Sequence, residues 1–247
     1  MYNLLIALGL SIVAFLVGWL AGNWTYGIFP AMLVFGIAYV LLARRTGRQL
    51  EAVMMAVQDE LSKGKVKPAR KLLEAALPLG KWQLLVTQQI YAQLGALEYI
   101  QQHWSKARPL LAKAWSRNWQ ASAMLAALDL RQGKKDEALK RLEKMRLLGR
   151  KEPLMWAVTA YVTLKAKGAN DALKVVADAR KVLEDNGPLK ELQQALANDK
   201  MKKFKWNVFG QGWYQFYPEH LQQGAMGGGR QQAPQFRGGK TYPMPRR

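Results

Sequence analysis

From Leu4 to Ala21 (LLIALGLSIVAFLVGWLA) the chain is an uncharged apolar run, and a second uncharged run extends from Trp24 to Ala43. A hydrocarbon core about 30 Å thick needs about 20 helical residues at 1.5 Å each, so both runs are long enough to cross it. Pro30 falls within the first two turns of the second run, where a missing N–H costs least. The stretch AGNWTYG between them has room only for a tight turn. Residues 1–43 therefore predict a transmembrane hairpin, with spans at about 4–21 and 24–43. From residue 51 the pattern changes to apolar positions at three- and four-residue steps broken by short polar links, which predicts a series of amphipathic helices.

The helices repeat. In SKARPLLAKA, Ala107 is followed by Leu111 and Ala114, and the same spacing recurs as Ala69, Leu73 and Ala76, as Ala138, Leu142 and Met145, and as Ala172, Val176 and Ala179. Successive anchor alanines lie 38, 31 and 34 residues apart. Each anchor helix follows a polar link, SKGKVK, QQHWSK, RQGKKD or KAKGAN, and Gly64, Gly133 and Gly168 supply helix-stop conformations there. Another helical pattern precedes each link, so the unit at residues 51–198 is helix, turn, helix. A plain helical bundle is the competing reading, but a bundle has no reason to space its small residues in this way.

Charge divides the chain in two. Residues 1–43 contain no Lys, Arg, Asp or Glu, so the whole formal charge of +20 belongs to the remainder. That surplus favours anionic partners: acidic lipid, nucleic acid or acidic protein surfaces. Arg44, Arg45 and Arg48 follow the second span in a basic juxtamembrane link at 44–50, and positive residues beside a span stay on the cytoplasmic side. The expected topology puts the turn outside, and the N-terminus and residues 44–247 in the cytoplasm. Trp19, Trp24, Tyr26 and Phe29 around the turn suit the headgroup level. A cleaved signal peptide would need a basic region before Leu4, and none is present. Gly18-x-x-x-Gly22 matches the small-residue packing motif of membrane helices, a match that chance readily supplies. Most of the basic surplus within the repeats falls between Lys106 and Arg150, either as a solvated face or as an anion-binding patch.

The second unit, Tyr91-x-x-Leu94-Gly95-x-x-Glu98 followed by Ala107-x-x-x-Leu111, resembles the tetratricopeptide repeat, whose pattern is W-x-x-L-G-x-x-Y, then A-x-x-x-F, then proline, with a 34-residue period. The fourth unit follows with Trp156, Ala160, Thr163, Ala172 and Val176, flanked by Pro153 and Pro188, while the first and third are degenerate in their first helices. The resemblance implies an all-α fold: after the hairpin, a tetratricopeptide-like α-solenoid of about four repeats, closed by a basic aromatic and disordered tail. Small residues such as Gly95 and Ala107 would let paired helices approach, with Tyr91, Leu94 and Leu111 filling the space between neighbouring repeats. It further implies a concave groove lined by the first helices, with Gln89, Gln93, Tyr99, Arg131, Tyr161 and Lys165 toward it. Members that clamp a C-terminal carboxylate carry Lys and Asn at positions held here by Ala92, Ala96, Ala123 and Ala127, so this groove departs from that clamp. A mixed aromatic and amide groove suits an extended or helical protein segment.

Beyond residue 198 the composition shifts again. Residues 199–222 are basic and aromatic, with Phe204, Trp206, Phe209, Trp213, Tyr214, Phe216 and Tyr217 close together; residues 223–247 are rich in Gly, Pro and Gln and read as disordered. The aromatic segment has three readings: a cap on the last repeat's apolar face, an interfacial segment with Trp206, Trp213 and Tyr214 among headgroups and Lys202, Lys203 and Lys205 on anionic lipid, or a stacking platform for single-stranded nucleic acid.

Catalytic chemistry has little to stand on. The chain has no cysteine and only two histidines, His103 in a link and His220 in the tail, so thiolate chemistry is excluded and no metal-ligand spacing exists. Phosphate-binding, zinc-protease and nucleophile-elbow motifs are missing. The expectation is a non-enzymatic, cofactor-free scaffold or assembly factor in an integral membrane setting, laid out like bacterial inner-membrane proteins that place two spans before such repeats. Its partners would be proteins, with anionic lipid headgroups as a further contact. The alternative is a basic membrane tether for nucleic acid or ribosomes.

Overall fold

A computed structural model of the chain describes residues 1–220. The segment expected to be disordered, 223–247, lies outside the described residues, as do the last two residues of the aromatic segment. Among the described residues the fold is all-helical: ten α-helices and short 3₁₀ turns, with no strand. In order they are α1 Tyr2–Leu20, α2 Trp24–Ser62, α3 Val66–Ala76, α4 Val86–Ile100, α5 Trp104–Ala112, α6 Trp119–Arg131, α7 Lys135–Met145, α8 Pro153–Lys167, α9 Ala169–Val182 and α10 Gly187–Ala197. The chain forms two compact units, Met1–Gln93 and a second from Leu94, with the boundary inside α4.

In the first unit α1 and α2 pack along each other as an antiparallel hairpin. They approach closely at Gly18 and Gly27, where a Cβ on Gly18 would lie 2.6 Å from the Gly27 Cα. Gly18 thus has a packing role, with Gly27 rather than Gly22 opposite it. At the other end the Asn3 side-chain amide donates to Thr46 Oγ1 (2.8 Å) and to the Leu42 carbonyl (3.3 Å). Both helices are long and apolar enough to cross a membrane, and only 11% and 6% of their apolar windows are buried within the protein. The expected link at 44–50 is no break: α2 runs on for 39 residues through Arg44, Arg45 and Arg48 to Ser62. Gly47 alone, without proline, does not end a helix whose later turns bury Leu50 and Val57 and pack on α3.

Each anchor alanine (Ala69, Ala107, Ala138, Ala172) is fully buried on α3, α5, α7 or α9, and so is the apolar residue four positions later. The third position follows suit at Ala76, Met145 and Ala179 but not at Ala114, because α5 stops at Ala112. Within the second unit α6 packs on α5, α7 and α8, and α8 through α10 pack in succession. A Cβ on Gly95 would meet the Leu111 backbone nitrogen at 2.9 Å. Small residues are therefore needed where α4 meets α5.

Three of the four links share one backbone solution. Lys65, His103 and Lys134 each donate their amide N–H to the carbonyl five residues back, closing the helix end around a residue in the left-handed region: Gly64, Gln102 and Gly133. Glycine does this without strain, whereas Gln102 carries a side chain at φ 61°. Asp129, fully buried on α6, binds Arg108 of α5 at 2.6 Å and Arg141 of α7 at 3.1 Å, tying three helices together through one carboxylate.

Candidate functional site

Tyr99 near the end of α4, Arg131 at the end of α6 and Tyr161 on α8 come together, and residues 204–220 lie over them. These residues pack in two stages. Phe204, Trp206 and Phe209 cover the apolar surface of Ala160, Ala172, Val176, Leu192 and Leu196 on α8, α9 and α10. Gly210, at φ 74°, then turns the chain, and residues 211–220 pass beside Tyr161 to reach Arg131 and Tyr99.

Arg131 organises the far end. Its guanidinium donates to the Phe216 carbonyl (3.2 Å), to both Glu219 carboxylate oxygens (2.7 and 2.8 Å) and to the Tyr99 hydroxyl. It also lies 4.5 Å from the centre of the Trp104 ring and 5.4 Å from those of Tyr99 and Tyr217. The Tyr99 hydroxyl donates to the Phe216 carbonyl at 2.6 Å. Burial opposes the charge on Arg131, but Tyr99 and Glu219 outweigh it and raise its pKa further. Tyr99 is pushed well above the ordinary tyrosine value by burial, against the pull of Arg131, so it stays a neutral donor.

Around Tyr161 the contacts are aromatic: Tyr217 at 4.4 Å, Trp206 at 5.0 Å, Trp213 at 5.5 Å and His220 at 5.7 Å between ring centres. Trp213 stacks between Trp206 (4.3 Å) and Tyr217 (4.8 Å), and its indole N–H donates to His220 Nδ1 at 3.0 Å. That bond requires Nδ1 without a proton. Burial lowers the His220 pKa in the same direction, and Arg131 and Lys165 add to it against Glu219. The Tyr217 hydroxyl is buried without a hydrogen-bond partner among the described residues.

Of the expected groove residues, then, Tyr99 is fully buried rather than lining an open surface, Arg131 and Tyr161 are partly covered, and Lys165 stays exposed with its ammonium 5.7 Å from the Tyr161 ring centre. Gln89 is exposed and Gln93 half-buried, both in the first unit. In the tail Lys202, Lys203 and Lys205 are exposed, and Trp206 and Tyr214 are half-buried. Trp213 is 0% exposed and so presents no face to lipid, nucleic acid or partner in this packing. His103, in the link before α5, is half-exposed and holds the buried Glu98 carboxylate at 2.9 Å. Sequence reasoning missed Trp104, Phe216 and Glu219. The last had a signal: it is the sole carboxylate after Asp199 in a strongly basic stretch. Among the described residues no group of three or more His, Cys, Asp or Glu side chains could hold a metal ion.

No protein-family model matches the chain, and no curated protein matches it in sequence.

Proposed function

We propose that this chain is a non-enzymatic adaptor of the tetratricopeptide type, held in a membrane by α1 and α2 and recruiting protein partners on its cytoplasmic side. Large apolar side chains along both helices stand open to the surroundings. Leaving them in water rather than in hydrocarbon costs about 25 cal/mol per Å² of exposed apolar surface, which favours lipid as their solvent. Arg44, Arg45 and Arg48 support the cytoplasmic placement of the helices that follow. The buried anchor alanines, the close approach at Gly95 and the period near 34 residues support the repeat reading.

The observation that carries the recruiting role is the way Tyr99, Arg131 and Tyr161 receive a segment of 3₁₀ turns through a backbone carbonyl, ring faces and a carboxylate. This is protein-segment chemistry. In the free chain residues 204–220 occupy the groove, and a partner carrying an aromatic-rich stretch and a carboxylate competes for it. Membrane anchoring keeps that partner at high effective concentration among other membrane proteins.

The full-length chain purified from its native membrane in mild detergent tests this. Glu219→Ala loosens the tail while leaving Arg131 available, so it should raise the amount of co-purifying partner; Arg131→Ala should lower it. Equal losses in both variants would mean that the groove only stabilises the fold. Nuclease-sensitive, strongly salt-dependent material in place of a protein would mean a nucleic-acid tether.

A further inference from the structure

We propose that the loop Lys81–Leu85 is a second membrane contact, inserting Trp82 and Leu84 into the interfacial layer beside the hairpin; this rests on the reading that α1 and α2 span the bilayer. The loop is fixed at a definite level of the hairpin. The Asn3 backbone N–H donates to the Trp82 carbonyl at 3.1 Å, and the Trp82 ring packs edge-on against Tyr2 with centres 5.3 Å apart. The Asn3 side chain in turn bonds Leu42 and Thr46. Trp82 is thus held where the uncharged run of α2 ends at Ala43 and the arginines begin, the height at which a spanning helix leaves hydrocarbon.

The loop's side chains suit that height. Despite its contact with Tyr2, Trp82 remains 44% exposed, and Leu84 and Leu85 are 52% and 38% exposed. Leu85 occupies the left-handed region at φ 70°, which costs a non-glycine residue about 1–2 kcal/mol. A strained turn that displays two leucines and a tryptophan makes little sense facing water. Beside a bilayer, tryptophan favours the headgroup level and the leucines meet the acyl boundary. Lys81, Arg44, Arg45 and Arg48, all exposed, sit on the same side of that boundary and supply charges for lipid phosphates. Continuity with the apolar hairpin and this charge complementarity identify the occupant as lipid rather than protein.

The absence of cysteine makes the test direct. Single cysteines at three exposed positions, Leu16→Cys, Leu84→Cys and Met55→Cys, would each carry an environment-sensitive fluorophore on the full-length chain in vesicles containing lipids brominated near the ester. Leu16 reports the span, Leu84 the loop, and Met55, about 18 Å along α2 beyond Ala43 at 1.5 Å per residue, reports water. The expected result is several-fold stronger bromine quenching at Leu84 than at Met55, with Leu16 shielded from an aqueous quencher. A Leu84 signal equal to that of Met55, with Leu16 still shielded, overturns the loop contact and leaves the anchor standing. An unshielded Leu16 overturns the spanning reading and the loop contact with it. Shielding of Leu84 in native membranes without quenching by brominated lipid assigns the loop to a protein partner and also overturns the proposal.

Discussion

Replacing Gly95 with alanine sets two opposed effects against each other. Inside a helix, alanine is favoured over glycine by about 0.5–1 kcal/mol, so at an open position the change stabilises. At Gly95 the added Cβ would stand 2.8 Å from Leu111 Cγ and Cδ2 and 2.9 Å from the Leu111 backbone nitrogen. The Leu111 side chain can turn away, but the nitrogen moves only if α5 moves, and α5 is held by the buried Ala107 and by the Arg108–Asp129 ion pair. Overpacking of this kind costs about 1–3 kcal/mol. The net expectation is destabilisation by about 0.5–2 kcal/mol, read as a lower urea midpoint with unchanged slope in detergent-solubilised protein followed by circular dichroism. Gly47→Ala supplies the contrast, since a Cβ there meets nothing within 4 Å; it should be neutral or stabilising. A neutral or stabilising Gly95→Ala would refute the close α4–α5 approach, because propensity alone would then be acting.

Three further outcomes follow from buried polar groups. Asp129→Ala leaves the half-buried Arg108 and Arg141 without the carboxylate they share, and should lower stability by about 1–3 kcal/mol in the same denaturation assay. Tyr217→Phe removes a buried hydroxyl that has no partner among the described residues, so it should be neutral or stabilise by about 1 kcal/mol; a clear loss would mean the hydroxyl is bonded in solution. Because the packed tail lowers the His220 pKa, protonation favours the released tail: docking is strongest above the free histidine value and weakens as pH falls through it toward the lowered one. Tryptophan emission should shift to the red on acidification as Trp206 and Trp213 meet water, and His220→Gln should flatten that response.

How far this was legible can be judged residue by residue. The hairpin was readable because two long uncharged apolar runs are joined by a stretch with room only for a turn, and the helix pairs because the buried alanines recur at 31 to 38 residues. The Gln102 turn was less visible: its backbone repeats that of Gly64 and Gly133, yet the link QQHWSK carries no glycine, so only the hydrogen bond from His103 to Glu98 reveals the equivalence. Continuity of α2 through residues 44–50 was hidden for a different reason. Charge marks where a helix changes solvent, not where its hydrogen bonds stop, and nothing in RRTGRQL interrupts them.

The candidate groove exposes the deeper limit. The repeat resemblance implies one surface for Tyr99, Arg131 and Tyr161, but it says nothing of what a segment far along the chain does to that surface. Aromatic content alone left the tail free to cap, to lie on lipid or to stack on bases. Geometry favours the first and extends it, since Trp206 and Phe209 seal the last helices while Phe216 and Glu219 reach Tyr99 and Arg131. The lone carboxylate in this basic tail is therefore an address for the half-buried Arg131. The same chemistry that holds the tail down is what any partner at this groove must outcompete, so Glu219 and Arg131 are the pair whose separate substitution distinguishes a recruiting surface from a mere clasp.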